Sequence, residues 1–164
     1  MKLNLGCGNI RREDCINIDI NPQSVADKVL DMTKTPWIWK DNVIDGIYMF
    51  HFLEHTPDPI EILKECHRVL IPNGFLHITV PHSTSVIANG CLFHYQTFSY
   101  NSLKDYLSIH NKLFETIKQR IVYQPHYEWL PIQWLIDLSP RAFERFWGYL
   151  VGGAVEVLWR GKKL

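Results

Sequence analysis

The chain has 164 residues, of which 46% are hydrophobic and 21% are charged, a composition typical of a globular domain and not of a disordered chain. Its 17 basic residues balance its 17 acidic residues, so no overall electrostatic field favours nucleic acid or an anionic membrane. We therefore expect one domain over residues 1–164 and no nucleic-acid partner.

The four cysteines, Cys7, Cys15, Cys66 and Cys91, form no C-x-x-C pair and no spacing typical of secreted scaffolds. Reduced thiols in a cytoplasmic protein are the simpler interpretation. The chain opens with no pattern of a secretory leader, and no run of about 18 apolar residues occurs. We expect a soluble, cytoplasmic protein without a membrane span.

The first predicted element is a short apolar strand, Lys2–Leu5, which runs directly into Gly6 and Gly8. Alternating isoleucine and polar residues over Ile16–Ile20 predict a second strand, ended by Asn21-Pro22. The connection between them has only about six to eight residues, whereas a parallel crossover usually needs about a dozen or more and a helix. Either the loop crosses with one abbreviated turn, or these strand boundaries are wrong.

Residues 28–32 predict a brief third strand, and residues 45–50 predict a buried fourth strand that is apolar on both faces. A helix should begin at Asp58-Pro59, with Glu61 completing a capping box. Its spacing places Ile60, Leu63, Val69 and Leu70 on a buried face. Residues 75–80 predict a fifth strand, and this order of elements indicates an α/β sheet.

In the second half the pattern predicts a helix over 99–110 with three inward residues, a strand over 114–123 and a mostly helical segment over 131–150 interrupted at Pro140. The inward residues of the first helix should be Leu103, Tyr106 and Leu107. A last strand is expected over 154–159, followed by a solvated end at 160–163.

Asp19 and Asp31 follow successive predicted strands, at the sheet edge that also carries the glycine loop. One carboxylate there can accept both hydroxyls of a ribose, and the other can accept from an exocyclic amine of a purine while Met32 packs on the ring. Strand-end aspartates also cap ordinary turns. Two of them after a glycine loop favour a nucleoside site.

These residues resemble class I S-adenosylmethionine-dependent methyltransferases, and most of all the small subgroup with a shortened first crossover. The resemblance extends from about Leu3 to Pro81. It is carried by the stretches LNLGCGN, INIDI, LDM, DGIYMFHFLEH and RVLIPNGFLHITVP, with weaker similarity in FHYQTF and FERF. It implies a Rossmann-like, open, mostly parallel sheet of order 3-2-1-4-5-7-6 with the last strand antiparallel. Residues 1–81 would then be the cofactor-binding half, and residues 82–164 the acceptor-side, covering half.

The resemblance also implies S-adenosylmethionine as the cofactor. The cofactor-binding residues it implies are Leu5, Gly6, Cys7, Gly8, Asp19, Ile20, Asp31, Met32, Phe50 and His51. The methionine part would lie at the glycines, the ribose at Asp19 and the adenine at Asp31 and Met32. The sulfonium would lie beside Phe50 and His51.

Two departures from the family are visible. Asn4 stands where many members carry an acidic residue that orients the amino group of the cofactor, and the third glycine of the fuller motif is missing. The most favoured function is methyl transfer to a small-molecule or saccharide-type acceptor. The alternative is a non-catalytic cofactor-binding or partner subunit.

The motif His51-Phe52-Leu53-Glu54-His55 also matches H-x-x-E-H, which one class of zinc peptidase uses. A zinc site would need the pentapeptide on one helix, and its position directly after a strand disfavours this. A nicotinamide-binding loop is disfavoured as well, because residues 10–14 supply neither a third glycine nor room for a helix.

Histidine near neutral pKa can act as a base when the acceptor is a hydroxyl, and His51 and His55 are the candidate catalytic residues. Together with His82 and His94 they could line one crevice, whereas His77 is expected to be a satisfied sheet residue. Cys7 is expected to be a small buried neighbour of the cofactor and not a nucleophile.

The aromatic residues of the second half have three interpretations. In these interpretations they cover the sheet as core, form a homodimer face, or make a lid over an apolar or sugar-like acceptor. The lid would consist of Tyr123, Tyr127, Trp129 and Trp134.

Overall fold

A computed structural model describes residues 1–123, 132–148 and 156–164. Its seven strands form one sheet of order β3-β2-β1-β4-β5-β7-β6, in which only β7 runs antiparallel to its neighbours. The strands are β1 (Lys2–Leu5), β2 (Ile16–Asp19), β3 (Lys28–Val29), β4 (Ile44–Phe50), β5 (Leu70–Pro81), β6 (Phe114–Val122) and β7 (Glu156–Lys163). The predicted strand order and the antiparallel last strand are confirmed.

The helices lie almost entirely after β4. They are a 3₁₀ turn (Leu53–His55), α1 (Pro59–Val69), α2 (Val86–Gly90), α3 (Ser102–Lys104) continued by a π-helical turn (Asp105–His110), α4 (Ile132–Leu138), and α5 (Pro140–Ala142) continued by a second π-helical turn (Phe143–Trp147). Asp58 caps α1 as predicted, by accepting from the Glu61 N–H at 3.1 Å. The capping box is incomplete, because the Glu61 side chain binds Lys64 instead.

The main core lies on the side of the sheet covered by α1. Leu3 and Leu5 of β1 pair in register with Ile47 and Met49 of β4, so all four point to the same face, and each is fully buried. Helix α1 adds four residues to this cluster, which are Ile62, Leu63, Cys66 and Val69. The predicted inward position of Ile60 is wrong, since that side chain is 43% exposed.

The opposite face of the sheet is polar and aromatic. Its central row of paired residues is Asn17, Asn4, Tyr48, His77 and Arg160. No helix occurs in any of the three described connections between β1 and β4. The Tyr48 and Phe50 side chains stay half-buried as a result, so the prediction that β4 is buried on both faces is wrong. The guanidinium of Arg12 lies 4.0 Å from the centre of the Tyr48 ring and partly covers this face.

A buried amide network takes the place of the missing crossover helix between β1 and β2. The Asn17 side chain donates to the carbonyls of Arg12 and Cys15 and to the Asp27 carboxylate, at 2.9–3.2 Å. Its Oδ1 accepts from the Arg12 N–H and from the Asn4 amide. The abbreviated crossover is confirmed, although it has ten residues and not six to eight. It needs no helix because these bonds satisfy backbone groups of Arg12 and Cys15.

Of the elements predicted for the second half, the solvated end at 160–163 is wrong and the others agree with the structure over the described residues. The chain end is not solvated, because β7 extends to Lys163, whose ammonium is buried and donates to the Asn42 side chain and to the Leu70 carbonyl at 2.8 Å. Strand β6 and the break at Pro140 are as predicted. Leu103 and Leu107 are buried, and Tyr106 packs against the core.

We expect Asn17→Ala to lower the free energy of unfolding by about 2–4 kcal/mol, since several buried hydrogen bonds are lost and their partners are left unpaired. Asn9→Ala is the matched control, because Asn9 is an exposed asparagine of the crossover loop between β1 and β2. Urea denaturation followed by circular dichroism measures both. Equal stability of the two variants would contradict a structural role for the network.

Candidate functional site

The carboxyl ends of β1, β2 and β4 open into a cavity of about 500 Å³. The residues that line it are Gly6, Ile18, Asp19, Ile20, Leu30, Asp31, Met32, Thr33, His51, Phe52, His55, Pro57 and Tyr95. Seven of the residues singled out in the sequence thus come together around this cavity. They are Gly6, Asp19, Ile20, Asp31, Met32, His51 and His55. We call it the first cavity.

Asp19 fixes the glycine loop on one side of the first cavity. Its carboxylate accepts from the backbone N–H of Gly8 at 2.7 Å and of Asn21 at 2.8 Å. Gly6 has φ +65°, and an added Cβ would lie 2.9 Å from the Phe52 ring. The loop therefore needs glycine at this position, both for its backbone angle and for the close approach of Phe52.

Asp31 and Met32 form the far wall. Thr33 donates to the Asp31 carboxylate from its backbone N–H and from its hydroxyl, and these bonds, the hydroxyl bond above all, lower the pKa of Asp31. The Trp37 indole donates to the Met32 carbonyl at 3.1 Å, and both side chains are buried. The position of Met32 is therefore fixed by the core, while Asp31 faces the cavity with its charge retained.

A second cavity of about 660 Å³ lies on the other side of the glycine loop, over the polar face of the sheet. Its lining residues are Asn4, Gly6, Cys7, Gly8, Asn9, Ile10, Arg12, Phe50, His51, His77, Thr79, Glu156 and Leu158. Gly6 and His51 line both cavities. The two spaces are therefore adjacent, and they meet at these residues.

His51 stands between two carboxylates at this junction. Its Nε2 lies 2.9 Å from Glu156 Oε1 and its Nδ1 lies 3.2 Å from Glu54 Oε1. Glu156 above all, and then Glu54, raises the pKa of His51 to about 9. The imidazole is consequently protonated at neutral pH, which disfavours the role of proton acceptor predicted for it.

His77 is not the satisfied sheet histidine that we expected. Its Nε2 is buried and has no hydrogen-bond partner among the described residues. Burial, followed by the nearby positive charges of Arg160, Arg12 and Lys118, lowers the pKa of His77 to about 4. The ring is therefore neutral at pH 7, with an unpaired nitrogen on the wall of the second cavity.

Two charged residues of the second cavity, Arg12 and Glu156, were not predicted from the sequence. Arg12 comes from the helix-free crossover, and Glu156 from the start of β7, so neither follows a strand end with a recognisable motif. Asn4 is not free to act there, because its amide donates to the Ile10 carbonyl and to Asn17. Cys7 is buried, and burial raises the pKa of its thiol.

The H-x-x-E-H motif does not form one helix. His51 has φ +51°, and only Leu53–His55 make a short 3₁₀ turn. The donor atoms that come together are those of Glu54, His55 and His94, within 4.8 Å of one another. The expected metal ligand set of a zinc peptidase, His51 with His55, is therefore not what the geometry provides.

Other predicted residues lie elsewhere. Leu5 is fully buried in the core and lines neither cavity. His82 is fully buried and binds Glu144 at 2.8 Å next to a separate cavity, so its expected place in one crevice with the other histidines is wrong. The reason is that β5 carries His82 past the sheet edge, to the side where α5 begins.

The aromatic residues proposed as a lid are divided. Tyr123 packs with a small second cluster that contains Phe143, and Trp134 is 63% exposed. Tyr127 and Trp129 lie outside the described residues. Within the described ranges, no helix is long and apolar enough to cross a membrane, and all four cysteines are free.

Comparison with known proteins identifies the fold. Residues 3–78 match the family model of a methyltransferase domain. A SAM-dependent methyltransferase from Archaeoglobus fulgidus superposes with a TM-score of 0.69 at 19% identity, over 99% of this chain and 85% of that one. A SAM-dependent methyltransferase, possible histamine N-methyltransferase, from Thermotoga maritima gives 0.64 at 16% identity, over 99% and 82%.

A ubiquinone biosynthesis O-methyltransferase of Xanthomonas oryzae is 31% identical over 72 residues, which are 44% of this chain and 27% of that protein. The chain thus spans about a quarter of the length of the curated relatives it matches. Residues 3–78 thus match a methyltransferase domain and the superposed structures share the fold, which supports the predicted resemblance to class I S-adenosylmethionine-dependent methyltransferases. This match implies S-adenosylmethionine as the cofactor.

The low pKa of His77 predicts a loss of stability in mild acid. Because its folded pKa of about 4 lies below the ordinary value of 6.5, the unfolded chain binds the proton more tightly. The stabilisation is present above pH 6.5 and is lost as the pH falls towards 4, by at most about 3 kcal/mol. His77→Phe should lessen this decline in urea denaturation measured from pH 7 to 4. Parallel profiles for the two proteins would contradict it.

Proposed function

We propose that this chain transfers the methyl group of S-adenosylmethionine to a small-molecule or saccharide-type acceptor. The observation that carries the proposal is the pair of adjacent cavities that share Gly6 and His51 at the carboxyl edge of the sheet. Ligands bind at this edge in open α/β sheets. The pair divides the space into a nucleoside side and an amino-acid side.

In this proposal the first cavity takes the adenosine. Asp19 uses two backbone N–H groups to hold the loop, and an ionised carboxylate has about four acceptor positions, so positions remain for the ribose hydroxyls. Asp31 accepts from the adenine amine, and Met32 packs on the ring. Ile20, which lines the same cavity and is exposed, supplies further apolar contact.

The second cavity takes the methionine part, which carries a carboxylate and an ammonium group. We assign the carboxylate to Arg12 and the ammonium to Glu156, since these two residues line the cavity with opposite charges. Glu156 would thereby replace the acidic residue that the family carries at Asn4. Gly6, Cys7 and Gly8 allow close approach of the chain, and the sulfonium lies beside Phe50 and His51.

The acceptor would enter next to Tyr95, which lines the first cavity and is 64% exposed. An exposed aromatic ring of this kind can stack on a flat apolar face of a ring compound. The names of the relatives, one acting in ubiquinone biosynthesis and one linked to histamine, support a small acceptor. Methyl transfer itself depends mainly on alignment of the nucleophile with the methyl group.

Calorimetry with S-adenosylhomocysteine tests the cofactor site. We expect one bound ligand per chain, and absence of binding at millimolar ligand would contradict the proposal. A screen of small hydroxylated and amino acceptors with labelled S-adenosylmethionine then tests turnover. Binding without any methyl transfer would favour a non-catalytic cofactor-binding subunit.

Asp19→Asn should weaken S-adenosylhomocysteine binding by about 1–3 kcal/mol, because a charge-assisted hydrogen bond to the ribose is lost. Asp41→Asn is the matched control, since Asp41 is exposed, lies outside both cavities and pairs with Arg68. Calorimetry compares the two variants. An unchanged affinity in Asp19→Asn would remove Asp19 from the site.

Arg12→Gln should weaken the binding of S-adenosylhomocysteine about tenfold or more, since a charged hydrogen bond contributes about 1.5–3 kcal/mol. It should leave the affinity for adenosine unchanged, because adenosine has no amino-acid part. The backbone N–H and carbonyl of Arg12, which bind Asn17, are retained in this variant. An equal loss for both ligands would show that Arg12 only supports the loop.

A further inference from the structure

Three side chains with metal-binding atoms meet beside the first cavity. They are Glu54 and His55 of the 3₁₀ turn and His94 from the segment after α2, and one donor atom of each lies within 4.8 Å of the others. The Tyr95 N–H donates to the Glu54 carbonyl at 2.8 Å, which fastens the later segment onto the turn. The grouping is thus produced by the fold and not by adjacency in the sequence.

Glu54 is a buried carboxylate without hydrogen bonds. It is 1% exposed, and neither of its side-chain oxygens has a hydrogen-bond partner among the described residues. Its Oε1 lies 3.2 Å from His51 Nδ1, and Nε2 of the same ring contacts Glu156. A buried carboxylate is costly unless cations or hydrogen-bond donors surround it. The protonated His51 ring, shared between two carboxylates, offsets only part of this cost, and Oε2 lacks a partner among the described residues.

The two histidines are held in the manner of metal ligands. His55 Nδ1 lies 3.2 Å from the Phe93 carbonyl, and His94 Nδ1 lies 3.1 Å from the Ala88 carbonyl. A carbonyl can only accept, so each Nδ1 is the donor, and Nε2 is the nitrogen of each neutral imidazole that can bind a metal. Metal-binding histidines commonly donate their other ring nitrogen to a backbone carbonyl in this way. The two rings are 4.7 Å apart, in an edge-to-face arrangement.

We propose that Glu54, His55 and His94 bind one divalent first-row transition-metal ion, with Zn²⁺ as the best match. Two imidazoles and one carboxylate are a ligand set of catalytic zinc sites, in which a further position stays open. Mg²⁺ and Ca²⁺ prefer sets made of oxygen alone. Bonds of about 2.0–2.2 Å require donor atoms about 3–4 Å apart, so metal binding would draw the exposed His55 ring slightly closer to Glu54 and His94.

The role of this ion rests on the proposed methyl transfer. His55 also lines the first cavity, so an ion bound by these residues would lie next to the place proposed for the acceptor. A hydroxyl group held there loses its proton to solvent more readily, because the positive charge stabilises the oxygen anion. The oxygen then forms its bond to the methyl carbon as the carbon–sulfur bond breaks, and the electron pair of that bond stays on sulfur as a neutral thioether. His55 is then a ligand and not a base.

Titration of the metal-free protein with Co²⁺, read by visible absorption, and with Zn²⁺, read by calorimetry, tests the site. We expect one ion per chain with micromolar or tighter affinity, and no comparable binding of Mg²⁺. Glu54→Gln and His94→Asn should each weaken binding about 100-fold or more. His110→Asn is the control, because His110 is exposed and lies on a different segment. No stoichiometric binding of either ion, or equal affinity in all variants, would overturn the proposal.

Two further readouts keep this test separate from that of the cofactor site. Circular dichroism of each variant establishes that weaker binding does not come from unfolding, and if both variants unfold, the wild-type titration alone decides. S-adenosylhomocysteine affinity should change less than threefold in His94→Asn, since His94 lines neither cavity. Metal binding without S-adenosylhomocysteine binding would overturn the proposed function and leave the metal site intact.

Discussion

The side chain of Asn17 is the constraint on which the rest of this structure depends. It is fully buried in β2 and connects three parts of the chain, which are the crossover loop, Asn4 of β1 and Asp27 before β3. Asp27 accepts from both the backbone and the side chain of Asn17, and these bonds lower its pKa to about 2. A folded crossover usually satisfies its backbone within a helix. Here one amide and one carboxylate do so, and the glycine loop is held at the sheet edge.

The loss of the crossover helix also explains the second cavity. With a helix in that place, the row of Tyr48 and His77 would be covered by apolar side chains. Instead Arg12 stacks on Tyr48, and the His77 nitrogen stays without a partner among the described residues. The space over this face is therefore polar and carries charge of both signs. The second cavity, with room for an amino-acid zwitterion, therefore results from the absence of a helix in the crossover between β1 and β2.

The sequence was sufficient for the sheet and for much of the first cavity. Alternation at Ile16–Asp19 and the cap at Asp58 are local patterns that predict individual elements. The strand order came from the resemblance to class I methyltransferases, and the cavity position follows from that order. What could not be predicted depends on contacts across the chain. Lys163 appeared solvated because its partners, Asn42 and the Leu70 carbonyl, are distant in sequence. Glu156 reaches the second cavity only because β7 inserts between β5 and β6.

The charged groups around His51 determine which ligand charge is favoured where the two cavities meet. Glu54 and Glu156 both contact this imidazole, so two carboxylates face one positive ring in the metal-free protein. A cation is favoured there over a neutral atom, since charges interact more strongly away from bulk water. In the proposed function the sulfonium occupies this position before transfer, and a neutral thioether occupies it afterwards. The two carboxylates should therefore bind the positively charged S-adenosylmethionine more tightly than the neutral S-adenosylhomocysteine.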